Sequence, residues 1–310
     1  MNAWTFADIP DQTGRTAIVT GANTGIGLET ARMLAQKGAK VIMACRNVDK
    51  GQAAAEKIMS EKPAGVVTLA ALDLSDLDSV ESFAEDFASK FQRLDLLIEN
   101  AGVMVPPFSR TKQGFELQMG TNHFGHFALA GRLLPLVLAT PGARIVVVSS
   151  TAQNFGRMDF DDLNWERRSY SASRGYAQSK LANMLFTLEL QRRLEAAGSS
   201  VLATAAHPGW TATELQRNAG IVERFNPIFA MKPHDGALPT LRAATDPGVN
   251  GGTYWGPQGL FELRGAPGPA RISARGQRKA DAARLWEISE KLTGVSFDFK
   301  ASAKPAQKAA

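Results

Sequence analysis

The chain has 310 residues, of which 44% are hydrophobic and 21% are charged. This balance excludes extensive disorder and allows a large buried core, so we predict one domain over residues 1–300. Cys45 is the only cysteine, which excludes an intrachain disulfide and predicts a reducing, cytoplasmic location. The sequence shows neither a signal-peptide pattern nor an apolar run of about 20 residues, so no membrane span is expected.

The net charge of +5 raises the question of nucleic-acid binding. The basic residues are dispersed, with small clusters at Arg264–Lys279 and from Lys300 onwards, and no nucleic-acid-binding module accompanies them. We therefore predict a solvated basic surface, a flexible basic tail over residues 301–310 and no nucleic-acid partner.

Short runs rich in Val, Ile and Leu alternate along the chain with helical patterns. The predicted strands are Ala17–Thr20, Lys40–Ala44, Val66–Leu72, Leu94–Ile98, Arg144–Ser149 and Val201–Ala206. The predicted helices are Leu28–Lys37, Val48–Glu61, Leu77–Phe91, Phe115–Leu138 and Gly175–Ala197. Because continuous apolar strands separated by helices require a sheet covered on both faces, we predict an α/β fold with a single doubly wound parallel sheet, the Rossmann fold.

The pattern loosens after Pro208-Gly209, where four prolines follow at positions 227, 233, 239 and 247. A last strand is expected at Thr253–Trp255, and an apolar stripe of Leu285, Ile288 and Leu292 predicts a closing helix. The segment from Trp210 to Pro233 carries scattered aromatic residues that either line a pocket or pack on the sheet. We predict that this segment is a mobile lid.

A glycine-rich turn joins the first predicted strand to the first helix. Glycine lets backbone N–H groups approach a phosphate, and a helix N-terminus adds partial positive charge, so the turn predicts a pyrophosphate site. Its Gly-x3-Gly-x-Gly spacing differs from the common dinucleotide fingerprint, and a tight turn without a ligand also uses glycine. The candidate residues are Gly21, Asn23, Thr24, Gly25, Ile26 and Gly27.

Arg46 lies 19 residues after Gly27, at the end of the second predicted strand. An acidic residue here would suit the ribose hydroxyls of NAD, whereas an arginine suits the 2′-phosphate of NADP. No Asp or Glu occurs between Val41 and Val48, and Asn47 is expected to cap the next helix. We therefore predict that NADP(H) is preferred over NAD(H), the alternative being that Arg46 is a surface residue.

Tyr176 and Lys180 are four residues apart on a predicted helix and therefore share one face. An adjacent ammonium favours a phenolate, so we expect Lys180 to lower the pKa of Tyr176 towards the working range of an acid–base group. Ser150 ends the preceding strand, where its hydroxyl can reach the same substrate oxygen. Without such support, a Tyr-Lys pair of this kind is usually a solvated surface feature.

In combination, these motifs resemble the short-chain dehydrogenase/reductase family over nearly the whole chain. Thr20–Gly27 is similar to the family's cofactor turn, Asn100-Ala101-Gly102 to its Asn-Ala-Gly element, and Pro208-Gly209 to its turn beside the nicotinamide. The resemblance implies that Tyr176 is the general acid/base and that Lys180 lowers its pKa and holds the nicotinamide ribose. It also implies that Ser150 polarises the substrate oxygen and that Asn122 supports a water connecting Lys180 to solvent.

The resemblance extends the predicted cofactor site and divides the domain. Residues 14–150 would mainly bind the cofactor, and residues 150–300 would form the catalytic and substrate side. Further candidate cofactor contacts are Asp73, Leu74, Asn100, Ala101, Gly102, Tyr176, Lys180, Pro208, Gly209 and Thr211. Asp73 is either an adenine contact or a turn residue.

Three segments, Ala44–Asn47, Asn122–Phe127 and Tyr176–Asn183, are similar to the retinol-dehydrogenase-like branch, which also resembles protochlorophyllide reductases. The 26-residue separation of Ser150 and Tyr176 matches an insertion typical of that branch. The branch implies a bulky apolar carbonyl or alcohol substrate, and the family implies a homodimer or homotetramer formed through Phe115–Leu138 and Gly175–Ala197. One departure is Glu99, where the family commonly has asparagine.

Two other functions remain as alternatives to a hydride-transferring enzyme. A regulator that binds the cofactor without turnover is disfavoured by the intact Ser150, Tyr176 and Lys180, and a nucleic-acid-binding protein rests only on the basic charge. His123 and His126 are three residues apart, but no Cys or carboxylate spacing completes a metal site. We therefore predict packing or hydrogen-bonding roles for these histidines and no metal.

Overall fold

The computed structural model describes residues 3–211 and 231–300. Its strands are β1 (Thr16–Thr20), β2 (Lys40–Cys45), β3 (Val66–Ala71), β4 (Leu96–Glu99), β5 (Arg144–Val148), β6 (Leu202–Ala206), β7 (Tyr254–Pro257) and β8 (Pro267–Pro269). They form one sheet in the order β3-β2-β1-β4-β5-β6-β7-β8, in which β8 alone is antiparallel to its neighbour. The chain reverses its direction across the sheet after β3, which is the doubly wound topology predicted from the sequence.

Helices cover both faces of this sheet. They are α1 (Gly25–Gln36), α2 (Val48–Ser60), α3 (Leu77–Lys90), α4 (Leu117–Met119), α5 (Gly125–Leu138), α6 (Ala172–Ala196), α7 (Pro233–Thr245) and α8 (Lys279–Thr293). One apolar core packs α1, α2 and α7 on the sheet, and the other packs α3, α5 and α6, with α8 against α6. Short 3₁₀ turns lie at Phe6–Asp8, Thr151–Asn154 and Leu260–Glu262, and a π-helical segment, Gly120–Phe124, joins α4 to α5.

The six predicted strands from Ala17 to Ala206 are confirmed with shifted ends. Most strand ends agree within one residue, whereas β4 begins at Leu96 and not at Leu94. Helix α6 begins three residues before the predicted Gly175. The predicted strand at Thr253–Trp255 corresponds to β7, and the predicted closing helix corresponds to α8.

Helix α7 occupies residues 233–245, a stretch to which the sequence pattern assigned no element. Pro233 stands at the start of α7, where its missing N–H costs no helical hydrogen bond. Pro239 lies inside the helix and removes one such bond, a loss that packing of Ala237 and Leu241 against α1 and the sheet offsets. Most of the predicted lid, residues 212–230, lies outside the described residues.

Strand β8 also has no clear signal in the sequence, because two of its three residues are prolines. Pro267 and Pro269 pair with Pro257 and Trp255 at the edge of the sheet. A proline is tolerated there because the outer side of an edge strand faces no neighbouring strand, so no backbone N–H is needed for pairing on that side.

The C-terminal part of the described chain covers α5 and α6. Trp286 of α8 packs edge-on against Phe127 and stacks on Phe186, and Phe297 packs against Phe127 and Trp286. A Cβ at Gly131 would lie 2.6 Å from Val295 and 2.8 Å from Phe297, so glycine permits this close approach. Helix α8 and the residues after it therefore pack on α5 and α6, the two helices through which the resemblance predicts an oligomer. The oligomeric state stays a prediction.

Within residues 3–211 and 231–300, no helix has both the length and the apolar character that a bilayer span requires.

We predict that Phe297→Ala lowers the free energy of unfolding by about 3–5 kcal/mol, the range for deleting a buried aromatic side chain. Phe297 is 9% exposed and contacts both Phe127 and Trp286. Chemical denaturation followed by tryptophan fluorescence measures the change. Phe261→Ala is the matched control, because Phe261 is 79% exposed and its loss should cost less than about 0.5 kcal/mol. Equal losses in the two variants would contradict a C-terminal segment packed into the core.

Candidate active site

A cleft of about 550 Å³ lies at the carboxyl edge of the sheet, where β1, β2, β4 and β5 end. Its position agrees with the rule that open α/β sheets bind ligands where the strand order reverses. The predicted cofactor residues that line it are Gly21, Asn23, Thr24, Gly25, Ile26, Gly27, Arg46, Asp73, Leu74, Asn100, Ala101, Gly102, Tyr176, Lys180 and Pro208. The fold thus brings these predicted residues from six sequence segments into one cleft.

The glycine turn opens directly onto the first turn of α1. Gly21 and Gly25 have φ angles of +65° and +59°, which favour glycine. A Cβ at Gly27 would lie 2.4 Å from the Gly21 carbonyl oxygen, so this position packs the helix tightly on the turn. Thr24, the N-cap residue, makes no side-chain capping hydrogen bond. The first N–H groups of α1 are therefore without a side-chain cap at the place where an anionic group would bind.

The Asn-Ala-Gly element is tied to the end of β1. The Asn100 side chain donates to the Thr20 carbonyl at 2.8 Å, and the backbone N–H groups of Asn100 and Ala101 both donate to the Thr20 hydroxyl at 2.9 Å. Thr20 has no exposed surface and was not among the predicted site residues beyond its place in the turn. Its signal in the sequence is only that a hydroxyl ends an otherwise apolar strand.

Arg46 is exposed, lines the cleft and forms no ion pair with any residue in the described ranges. Asn47 accepts a hydrogen bond from the Lys50 N–H at 2.8 Å, which confirms its predicted role as the cap of α2. Asp73 also lines the cleft, and its Oδ1 accepts from the backbone and hydroxyl of Ser75. Asp73 therefore organises a turn and faces the cleft at the same time.

The Tyr176 ring and the Lys180 ammonium lie side by side, with Nζ 5.7 Å from the ring centroid. Lys180 Nζ donates to the Val148 carbonyl at 2.9 Å, and the Ser149 hydroxyl donates to the Lys180 carbonyl at 2.8 Å. The Ser150 hydroxyl lies near enough to Tyr176 to lower the pKa of its phenol, but Ser150 does not line the cleft itself. The structure therefore brings Ser150, Tyr176 and Lys180 together.

The expected lowering of the Tyr176 pKa is wrong for this arrangement. Burial raises the pKa of Tyr176 to about 12, and the hydrogen bond from Ser150 opposes this rise. Burial also lowers the pKa of Lys180 to about 8, because a low-dielectric surrounding disfavours its charged form. At neutral pH the phenol is protonated, so it is ready to donate a proton and not to accept one.

Asn122 lies in the π-helical segment between α4 and α5. Its side chain accepts from the Val103 N–H at 2.8 Å and donates to the Val103 carbonyl and to the Ser179 hydroxyl. A Cβ at Gly102 would lie 3.1 Å from Asn122 Oδ1 and 3.7 Å from Lys180 Nζ. Asn122 and Lys180 therefore flank the same glycine, and Asn122 supports the cleft from behind its lining.

The Pro208-Gly209 turn follows β6 beside the cleft. Gly209 has a φ of +64°, and a Cβ there would lie 2.5 Å from the Leu263 carbonyl oxygen. Thr211 donates from its hydroxyl to the Pro208 carbonyl at 2.8 Å. Of these three predicted cofactor residues, Pro208 lines the cleft, whereas Gly209 and Thr211 hold the shape of the turn.

The two helix histidines are buried and hydrogen-bonded. Burial lowers the pKa of His123 to about 3 and that of His126 to about 4, so both rings are neutral at neutral pH. His123 bonds to Ser289, and His126 bonds to Thr20 and to the Asn122 carbonyl. No cluster of three or more potential metal-ligating side chains occurs in the part of the chain that the structure describes.

Comparison with known proteins agrees with this geometry. The family model for short chain dehydrogenases matches residues 15–223. The chain is 42% identical to retinol dehydrogenase 11 of Mus musculus over 291 residues, which cover 92% of this chain and 88% of the mouse protein. The chain belongs to the short-chain dehydrogenase family. It is therefore an oxidoreductase that acts on CH–OH or C=O groups and binds a nicotinamide cofactor.

This short-chain dehydrogenase is also similar to a second retinol dehydrogenase and to two proteins of known structure. Retinol dehydrogenase 13 of Homo sapiens is 42% identical over 293 residues, which cover 91% of this chain and 85% of the human protein. An uncharacterised protein from Mycobacterium paratuberculosis has a crystal structure that matches with a TM-score of 0.81 at 45% identity, covering 96% of this chain and 100% of its own. A short chain dehydrogenase from Shigella flexneri in complex with NADP matches with a TM-score of 0.64 at 26% identity, covering 79% of this chain and 97% of its own.

Glu99, the departure from the family pattern, lies at the end of β4 with no exposed surface. Neither of its carboxylate oxygens has a hydrogen-bond partner among the described residues, and burial raises its pKa well above the usual value. The contacts of Asn100 to Thr20 are intact beside it. Glu99 therefore leaves the cofactor-side contacts in place and is held as a neutral acid.

We predict that Glu99→Gln stabilises the protein at neutral and alkaline pH. The folded state keeps Glu99 protonated, whereas the unfolded chain ionises it above pH ~4.3, so the cost of retaining the proton grows with pH. The free energy of unfolding of Glu99→Gln relative to wild type should rise by up to about 1.4 kcal/mol per pH unit above pH ~4.3, until the pH reaches the pKa of Glu99 in the folded protein. Denaturant unfolding of wild type and variant at pH 5 to 8 measures it.

Glu116→Gln is the matched control, because Glu116 is equally buried but accepts hydrogen bonds from Gln118, Met119 and Tyr170. Its replacement should lower stability, since an amide presents N–H groups where at least one of these donors needs an acceptor. A stability difference between wild type and Glu99→Gln that does not change with pH would contradict the neutral acid.

Proposed function

We propose that this short-chain dehydrogenase is an NADP(H)-dependent oxidoreductase that transfers hydride between nicotinamide and a carbonyl or alcohol carbon of a bulky apolar substrate. The observation that carries the proposal is the cleft itself, which is lined by Tyr176 and Lys180, with Ser150 beside Tyr176, and by Arg46, which forms no ion pair within residues 3–211 and 231–300.

The residues present fit a nicotinamide dinucleotide. The uncapped first turn of α1 offers N–H donors and partial positive charge to a pyrophosphate. Asn100, Ala101 and Gly102 line the cleft, and Arg46 adds a guanidinium just after β2 that has no ion-pair partner among the described residues. A guanidinium can form a fork of charged hydrogen bonds to phosphate oxygens, which favours a 2′-phosphate over a ribose hydroxyl.

The nicotinamide, when bound, supplies or accepts the hydride. In the reducing direction, the protonated Tyr176 phenol donates its proton to the substrate oxygen, and the developing phenolate is stabilised by the neighbouring Lys180 cation. The Ser150 hydroxyl, which lies beside the Tyr176 phenol, donates a hydrogen bond to the same substrate oxygen. Since the pKa of Tyr176 is raised to about 12, the phenol is protonated at neutral pH and can serve as the proton donor in carbonyl reduction.

Two observations support a bulky apolar substrate. The relatives at about 40% identity are retinol dehydrogenases, whose names specify a long apolar alcohol. The cleft beyond Gly102 is lined by Val103, Met104 and Pro106, three side chains that offer apolar surface and no charge. We propose a retinoid, a steroid or another lipid-like aldehyde, ketone or alcohol as the substrate class.

A cofactor-binding regulator without turnover is the second candidate. Such a protein has no use for a proton donor beside the cleft, so the intact Tyr176 and its hydrogen bond from Ser150 favour the enzyme. Oxidation of NADPH, followed by absorbance with a panel of aldehydes and ketones, separates the two candidates. The cytoplasmic location and an oligomeric assembly stay predictions.

We predict that Tyr176→Phe lowers kcat by about 10²–10⁴-fold, the usual contribution of a positioned acid–base group. The variant removes the transferable proton and keeps the ring beside Lys180, so the Kd for NADPH should stay within about 2-fold of wild type. Stopped-flow measurement of hydride transfer and fluorescence titration of NADPH test both expectations. Near-normal turnover in a variant whose hydride transfer is rate-limiting would remove Tyr176 from the chemistry.

We predict that NADPH binds at least ~10-fold more tightly than NADH and that Arg46→Ala removes most of this difference. The loss should fall on NADPH alone, because only NADPH carries the 2′-phosphate. Fluorescence titration of both cofactors against both proteins measures the four Kd values. Arg157→Ala is the control, since Arg157 is also an exposed arginine without an ion pair in the described ranges but lies in a different cleft. An unchanged NADPH/NADH ratio in Arg46→Ala would place Arg46 outside the cofactor site.

A further inference from the structure

A buried hydrogen-bonded path joins the segment that carries Asn122 to the end of β1. Its centre is the His126 ring, which is 1% exposed. His126 Nδ1 lies 3.1 Å from the Asn122 carbonyl oxygen, and Nε2 lies 2.9 Å from the Thr20 hydroxyl. The two contacts use both ring nitrogens, so His126 has no free polar atom.

The direction of each hydrogen bond follows from the chemistry of its partner. The Asn122 carbonyl can only accept, so His126 Nδ1 must carry a proton. Burial and the nearby Lys180 charge keep this ring neutral, with its single proton on Nδ1. Nε2 is therefore an acceptor, and the Thr20 hydroxyl donates to it at 2.9 Å in preference to the Ile98 carbonyl at 3.4 Å.

The same Thr20 hydroxyl accepts the backbone N–H groups of Asn100 and Ala101 at 2.9 Å. Its donor and acceptor capacity is thus used by one histidine and two cleft-lining residues. If the proton of the hydroxyl turned away from His126, the remaining partner would be the longer contact to Ile98. The position of Asn100-Ala101 is therefore coupled to the orientation of the His126 ring.

At the other end of the path, Asn122 stands beside the catalytic lysine. Asn122 Oδ1 and Lys180 Nζ both approach Gly102, and the Asn122 side chain holds Val103 through two hydrogen bonds. Asn122 lies in a π-helical segment, where the shifted backbone bonding pattern is less regular than in an α-helix and needs fixing by side chains. The hydrogen bond from His126 supplies such a constraint to the Asn122 carbonyl.

We propose that His126 is a positioning residue that fixes the proton-transfer side of the site, at Asn122, relative to the cofactor side, at Asn100-Ala101. The inference rests on the proposed hydride transfer at this site. His126 touches neither the cleft nor the Tyr176 hydroxyl, so it acts only through Asn122 and Thr20.

His123 provides an internal comparison on the same segment. It is equally buried, and its Nε2 bonds to Ser289 of α8, far from the cleft along the chain. A purely structural histidine should behave as His123 does, whereas a positioning histidine should affect two functional readouts separately.

Two substitutions at His126 separate the two hydrogen bonds. An asparagine amide occupies the place of Nδ1, and a glutamine amide occupies the place of Nε2. His126→Asn therefore keeps a donor for the Asn122 carbonyl and loses Thr20, whereas His126→Gln keeps a partner for Thr20 and loses Asn122. Each variant removes one hydrogen bond, and the loss of one such bond should change the Kd for NADPH or kcat by about 3- to 10-fold.

We expect His126→Asn to raise the Kd for NADPH by about 3- to 10-fold with kcat at saturating cofactor within about 2-fold of wild type. We expect His126→Gln to lower kcat by a similar factor with the Kd for NADPH unchanged. Thr20→Ser, which keeps the hydroxyl, should bind NADPH as wild type does, and Thr20→Val should resemble or exceed His126→Asn. His123→Asn and His123→Gln should change only the thermal unfolding temperature.

A spectroscopic measurement complements the kinetics. In ¹⁵N-histidine NMR spectra of the wild-type protein, His126 should show a protonated Nδ1 and an unprotonated Nε2 throughout pH 6 to 8. The opposite tautomer would overturn the proposal, and this readout requires neither cofactor nor turnover. If a His126 variant fails to fold, the Thr20→Ser and Thr20→Val pair tests the same path from its other end.

Equal losses in Kd and kcat for both His126 variants, matched by the His123 variants, would reduce His126 to a packing residue. No change in either His126 variant would also overturn the proposal. Failure of the proposed function is a different outcome, because the wild-type protein itself would then neither bind NADPH nor oxidise it with any carbonyl.

Discussion

The hydrogen bond from Lys180 Nζ to the Val148 carbonyl fixes the long helix α6 against the carboxyl end of β5. Two further bonds strengthen this junction, from the Ser149 hydroxyl to the Lys180 carbonyl and from the Asn183 amide to the Val148 carbonyl. Because β5 pairs in parallel with β4, the same junction also sets the distance from Tyr176 to the Asn-Ala-Gly element. A shift of α6 by one residue would break all these contacts at once, so the catalytic side chains depend on strand pairing and not on local loops.

The second theme of the site is the control of charge by burial. Burial keeps Tyr176 protonated and His126 neutral, and it lowers the pKa of Lys180 to about 8, close to physiological pH. Arg46 contrasts with them, since its guanidinium is exposed to solvent where it lines the cleft. The cleft thus combines a solvated cation suited to anchoring a ligand with a dry region suited to proton transfer.

The sequence was sufficient for the parts of this protein that follow from local pattern. Apolar strands and amphipathic helices predicted the sheet from β1 to β7, and the spacing of Tyr176 and Lys180 predicted their shared face. Helix α7 was missed because Pro239 normally breaks a helix, and only packing against α1 makes it tolerable. The sign of the Tyr176 pKa shift was missed because desolvation is a property of the folded surroundings. Likewise, the link between Thr20 and His126, 106 residues apart, has no local signature.

The aromatic layer formed by Trp286 and Phe297 has a consequence for synthesis of the chain. Helix α5 is synthesised about 150 residues before the segment that covers it, which corresponds to roughly 8–30 s at about 5–20 residues per second. Until Trp286 has been synthesised, the faces of Phe127 and Phe186 that later contact it are exposed to solvent. Nascent chains of this protein therefore expose an apolar face until α8 and Phe297 have been synthesised and pack on it.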